Sequence, residues 1–383
     1  MPQLGIPAVF MRGGSSKGLF FHARDLPTDR QSWDRIFLSA IGSPDPYGRQ
    51  LNGMGGGISS LSKVAVIAPS TRDDSDVDFT FGQVVVDQPV VDYGSTCGNL
   101  TSAAGVFAVD KGLLRPEGPE AKVRIYNTNT GKIAVARFPL DGESAAVKGD
   151  LQIAGVAGSG ATIRLDFLDP GGGVTGKLLP SNQPVDELEV EGLGRVSASL
   201  VDATNPCVFV HAENLRLSGA ESPYDLEKNA VAMRQLEAIR AVAGVAMGLG
   251  ETPEDVSRHS KSSPKVAVLA PPRDMRTLSG DLVKAEEMDI VVRMLSMGVP
   301  HRAVPLTGAL CLAVAAAIPG SLANLLQRNG AGGLSDLRIS TPSGVVPVKA
   351  SVGERDGEVQ ANSATAYRTA RALMHGNVML PGS

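Results

Sequence analysis

The chain has 383 residues, 43% of them hydrophobic and 20% charged, with a formal net charge of −4. That is the composition of a folded protein long enough for two domains, not of a disordered one. The negative balance gives no general attraction for nucleic acid, and no Lys/Arg run interleaved with aromatics offsets it, so an anionic ligand must be held by local groups.

The three cysteines, Cys97, Cys207 and Cys311, are widely separated. An odd number without C-x-x-C pairing argues against a disulfide framework and for a reducing cytosol. The start of the chain shows neither the basic region nor the long apolar segment of a signal peptide. The longest apolar run, Ala309 to Ile318, is too short to span a bilayer. The expected location is cytoplasmic.

In chain order, Pro7 to Met11 reads as a strand that ends in Arg12-Gly13-Gly14-Ser15-Ser16-Lys17-Gly18. Leu19 to Phe21 resumes as a strand, and Arg30 to Ile41 reads as a helix. Gly42 to Gly48 is loop, and Asn52 to Lys63 is a Gly/Ser-rich segment feeding a strand from Val64 to Ala68. Phe79 to Val91 alternates and is β-branched, which predicts two strands about Gln88-Pro89. Tyr93 to Leu100 is a loop breaking into a helix, with apolar residues at Leu100, Ala103, Ala104 and Phe107. That spacing is the one-sided stripe of a core-facing helix. Cys97 then sits at the helix N-terminus, where free N–H groups and the macrodipole favour a thiolate or a bound carboxylate.

Lys122 to Pro139 predicts a hairpin turning at Asn129-Thr130-Gly131. Gly155 to Gly176 is a breaker region, and the domain boundary is expected near Pro184, giving domains 1–184 and 185–383, with the tail a candidate to return to the first. Strands follow at Gly194–Leu200, Cys207–Ala212 and Pro264–Pro271. A long helix lies within Ser222–Leu249, and Lys284–Met297 is mixed. A helix covers Leu306–Ala317, a hairpin Leu337–Val352, and the tail carries Arg368-Thr369-Ala370-Arg371.

The two halves echo each other. Lys63-Val64-Ala65-Val66-Ile67-Ala68-Pro69 recurs as Lys265-Val266-Ala267-Val268-Leu269-Ala270-Pro271. Leu19 to Leu26 recurs loosely as Val208 to Leu215, and the Leu310, Ala313, Val314, Ala317 stripe repeats that of the first helix. The matches keep one order, which predicts an α+β fold of two pseudo-symmetric domains. Each is a curved, mostly antiparallel sheet wrapped on a central helix, with the two helix starts expected to face a common cleft. Cys97-Gly98-Asn99 falls opposite Thr307-Gly308-Ala309, so one half carries a thiol where the other carries a hydroxyl.

A duplicated fold with these two helix starts resembles the diaminopimelate epimerase-like fold. Within it, Met11 to Gly18, Ile41 to Gly48, Gly53-Met54-Gly55-Gly56, Ser62-Lys63-Val64, Cys97 to Leu100, Ser296-Met297-Gly298 and Thr307-Gly308-Ala309 resemble the PrpF family of 2-methylaconitate cis-trans isomerases. The resemblance implies a cofactor-independent, allylic proton shift in an unsaturated di- or tricarboxylate, and a place in propionate catabolism. Aconitate isomerase, methylitaconate Δ-isomerase and 4-oxalomesaconate tautomerase belong to the same superfamily. A catalytically silent carboxylate-binding protein is the alternative of another class.

The resemblance implies Lys63 as base, and a lysine acts as base only when partly neutral. Cys97 is either the second acid/base or a carboxylate anchor. Gly98, Asn99, Thr307 and Gly308 suit a carboxylate or oxyanion. The Arg12 to Gly18 segment lacks the P-loop order, so a carboxylate nest from Ser15, Ser16 and backbone amides is the better reading, with Arg12 and Lys17 beside it; a solvated Lys17 is equally open. Met54, Gly55 and Ser62 join the binding set through their motifs, and Lys265 through symmetry. His22 and His211 occupy matching strand positions and read as structural. No Cys/His spacing suggests a metal site. A homodimer is the assembly this reading allows.

Overall fold

In a computed structural model, residues 3–94, 96–328, 336–355 and 357–381 are described; Ser95, in the stretch leading to Cys97, lies outside them. The chain divides into two units, Met1–Asp166 with Tyr367–Ser383, and Phe167–Ala366. Pro184, where the sequence places a boundary, therefore lies inside the second unit. The Gly-rich breaker misled because it contains a strand, Ile163–Leu168, at the actual division.

The first unit is built on strands β1 (Leu4–Gly13), β2 (Ser16–His22), β3 (Lys63–Pro69) and β4 (Val77–Val84), with helices α1 (Trp33–Ile41) and α2 (Gly98–Asp110) and the hairpin of β5 (Glu120–Asn127) and β6 (Lys132–Asp141). β1 pairs antiparallel with β2, β2 parallel with β3, β3 antiparallel with β4, β4 parallel with β5, and β5 antiparallel with β6. The C-terminal strand Ala370–Leu380 adds antiparallel to the outer edge of β1, from Leu4↔Leu380 to Gly13↔Ala370. That covers an edge that would otherwise be open to pairing with another chain.

Strand alternation assigns the two faces. On β2, Phe20 lies 5.9 Å from Phe107 of α2, while its neighbour Phe21 stacks at 5.5 Å on Phe37 of α1. On β3, Val64 and Val66 join the core cluster of α1 with Trp33, Phe37 and Ile41. Lys63, one residue out of phase with Val64, therefore belongs to the α2 face.

Helix α2 packs against β1 to β6 and against the C-terminal strand, and every residue from Gly98 to Val109 is buried. The stripe predicted from Leu100 to Phe107 thus understates the case. A helix made almost wholly of small and apolar residues has no solvent face to keep and becomes the centre of the unit. Gly105 is needed there: a Cβ would stand 3.1 Å from the Phe138 ring and 3.2 Å from Ala136.

The second unit repeats this topology with β7 (Asp186–Val190), β8 (Gly194–Ala203), β9 (Asn205–His211), α3 (Ala230–Ala246), β10 (Lys265–Ala270), β11 (Ile290–Ser296), α4 (Leu306–Ala317), β12 (Leu337–Thr341) and β13 (Gly344–Arg355). The pairings run antiparallel, antiparallel, parallel, antiparallel, parallel, antiparallel from β7 to β13. This is the order found from the C-terminal strand through β1 to β6. The register repeats as well: Gly18↔Lys63 in the first unit answers Cys207↔Lys265 in the second. Two halves that agree in pairing type, order and register are duplicates. One swap distinguishes them: the outermost strand is supplied by the chain's end in the first unit and by β7, just before β8, in the second.

Gly18 is where β2, β3 and α2 meet. A Cβ there would lie 2.5 Å from the Lys63 carbonyl oxygen and 3.2 Å from Leu100 Cδ1. Backbone cannot yield as a flexible side chain can, so Gly18→Ala should cost about 1–3 kcal/mol, read as a lower urea midpoint at unchanged slope. An unchanged midpoint would show that the sheet and α2 have slack at this point.

Candidate active site

Lys63 opens β3 and is 9% exposed. Its Nζ donates to Gln83 Oε1 at 2.7 Å and stands 4.9 Å from the centre of the Phe81 ring. Gln83 is itself anchored, its Nε2 donating to the carbonyls of Ser59 (3.1 Å) and Ser62 (3.0 Å). The ammonium thus rests on a neutral amide and an aromatic face, with no carboxylate partner among the described residues.

Cys97 is the N-cap residue of α2, 7% exposed and in extended conformation. Its carbonyl accepts from Thr101 N at 2.9 Å and Thr101 Oγ1 at 3.0 Å. The Cys97 side chain makes no capping hydrogen bond, and no acidic residue lies in the first turn. An α-helix leaves its first N–H groups without intrahelical partners, and a buried end without caps is a ready anion site.

Asn99 ties this helix start to the β1–β2 corner. The corner is a two-residue turn, because β1 runs on to Gly13 and pairs directly with Ser16; the loop read from Arg12 to Gly18 is shorter than its composition suggested. Asn99 Nδ2 reaches Ser15 Oγ at 3.2 Å and Ser16 Oγ at 3.5 Å, and Oδ1 accepts from Arg368 Nε at 3.1 Å. The approach is so close that a Cβ at Gly13 would lie 2.3 Å from Asn99 O, and one at Gly14, which has a φ of +50°, 2.2 Å from Asn99 Oδ1.

Arg12 braces this corner from behind, its Nη1 donating to the carbonyls of Gly14 (3.0 Å) and Thr369 (2.9 Å). Burial, with Arg371 alongside, lowers its pKa. Arg12 faces Lys17 across β1–β2 and Arg371 across the other edge, and Lys17 Nζ lies 5.5 Å from the Phe10 ring centre. Burial pulls Arg368 down to about 10. Four cations thus gather at one end of the unit, and none makes an ion pair among the described residues.

Met54 and Gly55, placed in the binding set by their motif, also build the loop after α1. Their amides are donated to Ala40 O at 2.8 Å and Ile41 O at 3.0 Å, closing the C-terminus of α1. Ser62 Oγ donates to Gln50 Oε1 at 2.7 Å and Ile58 O at 2.8 Å. Gln50 also accepts from Gly57 N at 2.9 Å and donates to Ser43 Oγ at 2.8 Å. It is 1% exposed at a φ of +53°, the hub of the loop before Lys63. A cavity of about 1010 Å³ opens beside this loop, lined by Arg35, Ser43, Asp45, Tyr47, Arg49 and Leu51 among others; neither Lys63 nor Cys97 lines it.

Asn127 and Asn129 hold the approach to Cys97. Asn127 Nδ2 donates to Thr96 Oγ1, and Asn129 Nδ2 donates to Phe81 O and Tyr93 O, both at 2.9 Å. Sequence reasoning missed Gln50, Gln83, Asn127, Asn129 and Arg368. The Asn-Thr-Gly turn flagged Asn129 only as turn chemistry, and nothing marked the glutamines. His22 caps a single-turn helix, its Nδ1 accepting from Arg24 N at 3.1 Å.

In the second unit, Lys265 is buried and donates to Ser262 O at 2.9 Å. It lies close to the start of α4: a Cβ at Gly308 would stand 3.9 Å from Lys265 Cδ and 2.3 Å from Met294 Sδ. Thr307 is inside the first turn of α4, whereas Cys97 precedes α2. The two starts are therefore not equivalent in backbone as well as in side chain. Cys311 packs against Cys207, and burial pushes its thiol up.

The fold and these clusters define a class: a duplicated α+β scaffold whose first unit sets a buried lysine and a cysteine-led, uncapped helix on one sheet face, next to unpaired cations. Residues 3–381 match the family described as PrpF protein, and the chain belongs to it. It is 39% identical to the 2-methyl-aconitate isomerase of Shewanella oneidensis, across 99% of this chain and 98% of that one. The crystal structure of a methylitaconate-delta-isomerase matches with a TM-score of 0.81 at 38% identity, covering 100% of this chain and 98% of the other. A probable proline racemase from Agrobacterium radiobacter K84 shares the fold, with a TM-score of 0.55 at 13% identity over 99% and 93% of the two chains. The chain is an isomerase of the PrpF family.

Gln50→Ala would leave Gly57 N without its acceptor and Ser43 Oγ without its donor, and would take from Ser62 Oγ one of its two acceptors. A loss of about 1–3 kcal/mol is expected, with faster hydrogen exchange over 50–62 ahead of global unfolding. Exchange unchanged in that segment would remove Gln50 as its hub.

Proposed function

We propose that the protein catalyses a cofactor-independent 1,3-allylic proton shift in an unsaturated tricarboxylate, with 2-methylaconitate or aconitate as substrate. The observation that carries this reading is the buried Lys63 side chain, whose Nζ donates to a neutral amide and meets no carboxylate among the described residues, on the same sheet face as the start of α2. One substrate carboxylate sits on the free amides at Gly98 and Asn99, with Ser15 and Ser16 beside it. Lys63, as the neutral amine, takes the proton from the allylic carbon; the C–H pair forms a new double bond while the original π pair delocalises onto the far carbon and its carboxylate as a dienolate. A proton is then returned to the far carbon of the system, and Cys97 is placed to deliver it. Burial of Lys63, Cys97, Asn99 and Ser16 excludes water, which strengthens the attraction between the anion and its donors.

Duplication without a second thiol argues against the symmetrical two-cysteine chemistry open to a racemase, since Cys97 answers to Thr307. The three cysteines are buried free thiols, in keeping with a reducing, cytoplasmic setting. None of the described helices is long and apolar enough to cross a membrane. The loop from Gly42 to Gly48, which borders the cavity beside α1, is a candidate to select the substrate's extra substituent.

Incubation with 2-methylaconitate in heavy water should place deuterium at the allylic carbon. Lys63→Met should slow both exchange and turnover by about 10²–10⁴-fold, the usual worth of a positioned base. Full exchange in that variant would remove Lys63 as the base. A panel of 2-methylaconitate, aconitate, 3-methylitaconate and 4-oxalomesaconate ranks the substrates by kcat/KM; binding without exchange on every member would mark a silent carboxylate-binding protein.

A further inference from the structure

We propose that Arg368 is a positioning residue: its buried guanidinium, acting through the Asn99 amide and the Ser15 and Ser16 hydroxyls, supplies the fixed positive charge that holds a substrate carboxylate at the start of α2. The assignment rests on the reading of that helix start as a carboxylate site.

Arg368 is 6% exposed, donates from Nε to Asn99 Oδ1 at 3.1 Å and from Nη1 to its neighbour's carbonyl, Tyr367 O, at 2.8 Å. No carboxylate pairs with it among the described residues. Its surroundings are Gly14, Asn99 and Thr369, with Arg12 and Arg371 on the adjoining strands. A buried cation is costly unless a counter-charge meets it, and two further arginines nearby raise that cost. A neutral side chain would brace Asn99 equally well. A cation is worth keeping here when an anion arrives.

The hydrogen-bond directions carry the charge forward. Arginine has donors only, so it fixes Asn99 with Oδ1 toward itself and Nδ2 toward the serines. Ser15 and Ser16 each accept from Nδ2, which frees each hydroxyl proton to donate outward. A chain of bonds that all point one way is polarised along its length. It delivers two hydroxyl donors beside the free amides of α2, so side chains and helix end present donors to the same anion.

The probe is tricarballylate, a saturated tricarboxylate that cannot undergo the allylic shift, titrated calorimetrically into the full-length protein. Arg368→Met should weaken its binding by roughly 10- to 100-fold, the worth of one charge-assisted bond. KM should rise more than kcat falls, and Arg368→Lys should recover part of the loss. Asn99→Asp places a carboxylate against Arg368: the melting temperature should rise while tricarballylate binding disappears. That pairing of gain and loss is not expected of a merely structural brace. Where Arg368→Met does not fold, Asn99→Asp carries the test, because it keeps the whole Arg368 side chain. Binding by Arg368→Met within twofold of the parent, or Asn99→Asp with retained binding, overturns the assignment. A parent protein that does not bind tricarballylate overturns it together with the carboxylate reading. Binding without turnover on any panel substrate overturns the reaction alone.

Discussion

A helix that begins inside a core leaves its first N–H groups facing neither water nor a cap, and the first unit is arranged around that one constraint. The start of α2 is buried and uncapped, so its donors must be satisfied by something that is not part of the helix. Each neighbouring feature answers to this. Gly13 and Gly14 let the β1–β2 corner close on Asn99; Gly18 lets β3, and with it Lys63, lie against Leu100. The C-terminal strand closes the β1 edge, and Arg368, the last residue of the strand before it, reaches Asn99. In a chain of net charge −4, cations with no ion pair among the described residues gather where a helix already presents positive partial charge. The proposed substrate carboxylate would offset both at once.

Much of the fold was legible because its signals are strong where burial is complete. The β3 and β10 segments are apolar, β-branched runs, and their near-identity exposed the duplication before any topology was known. The α2 and α4 helices announced themselves by small and apolar residues, although one-sided spacing concealed that all faces are buried. The last strands did not show. Glu358–Arg368 and Ala370–Leu380 carry Ala, Asn, Ser and Arg where strands usually carry β-branched residues. Their stability comes from pairing with distant partners, Leu380 with Leu4 for instance, which local pattern cannot report. Arg368 was missed for the same reason.

The residues to which the proposal gives the chemistry were visible in the sequence, and their supports were not. Lys63, Cys97 and Asn99 sit in motifs; Gln50, Gln83 and Asn129 do not. A buried amide side chain acts by where its two ends point, and composition holds no record of that. Met54 and Gly55 sit in a motif that also builds: its amides close the end of α1. A motif can persist for the loop it builds as well as for the ligand it touches.

The duplicated halves separate what the scaffold requires from what the chemistry requires. In the first unit the corner before β2 is made by Gly14 and Ser15, with Gly14 in the left-handed region. In the second, the single residue Thr204 stands between Ala203 and Asn205 and takes a φ of +61°. A β-branched residue in that region is strained by about 1–3 kcal/mol. Thr204 offsets this by donating from Oγ1 to Thr307 O at 2.8 Å and from its amide to Pro170 O at 2.8 Å. The corner therefore keeps its left-handed turn even where the residue opposes it, so the turn belongs to the fold. What changes freely is the chemistry hung on it: Ser16 against Asn205, and Cys97 against Thr307. Lysine alone is kept at the matching strand start, Lys63 and Lys265, buried in both. In the second unit it bonds a backbone carbonyl, and in the first an amide side chain set beside an aromatic ring. The proposed proton-transfer role falls to the half in which this lysine shares a sheet face with a cysteine-led helix start.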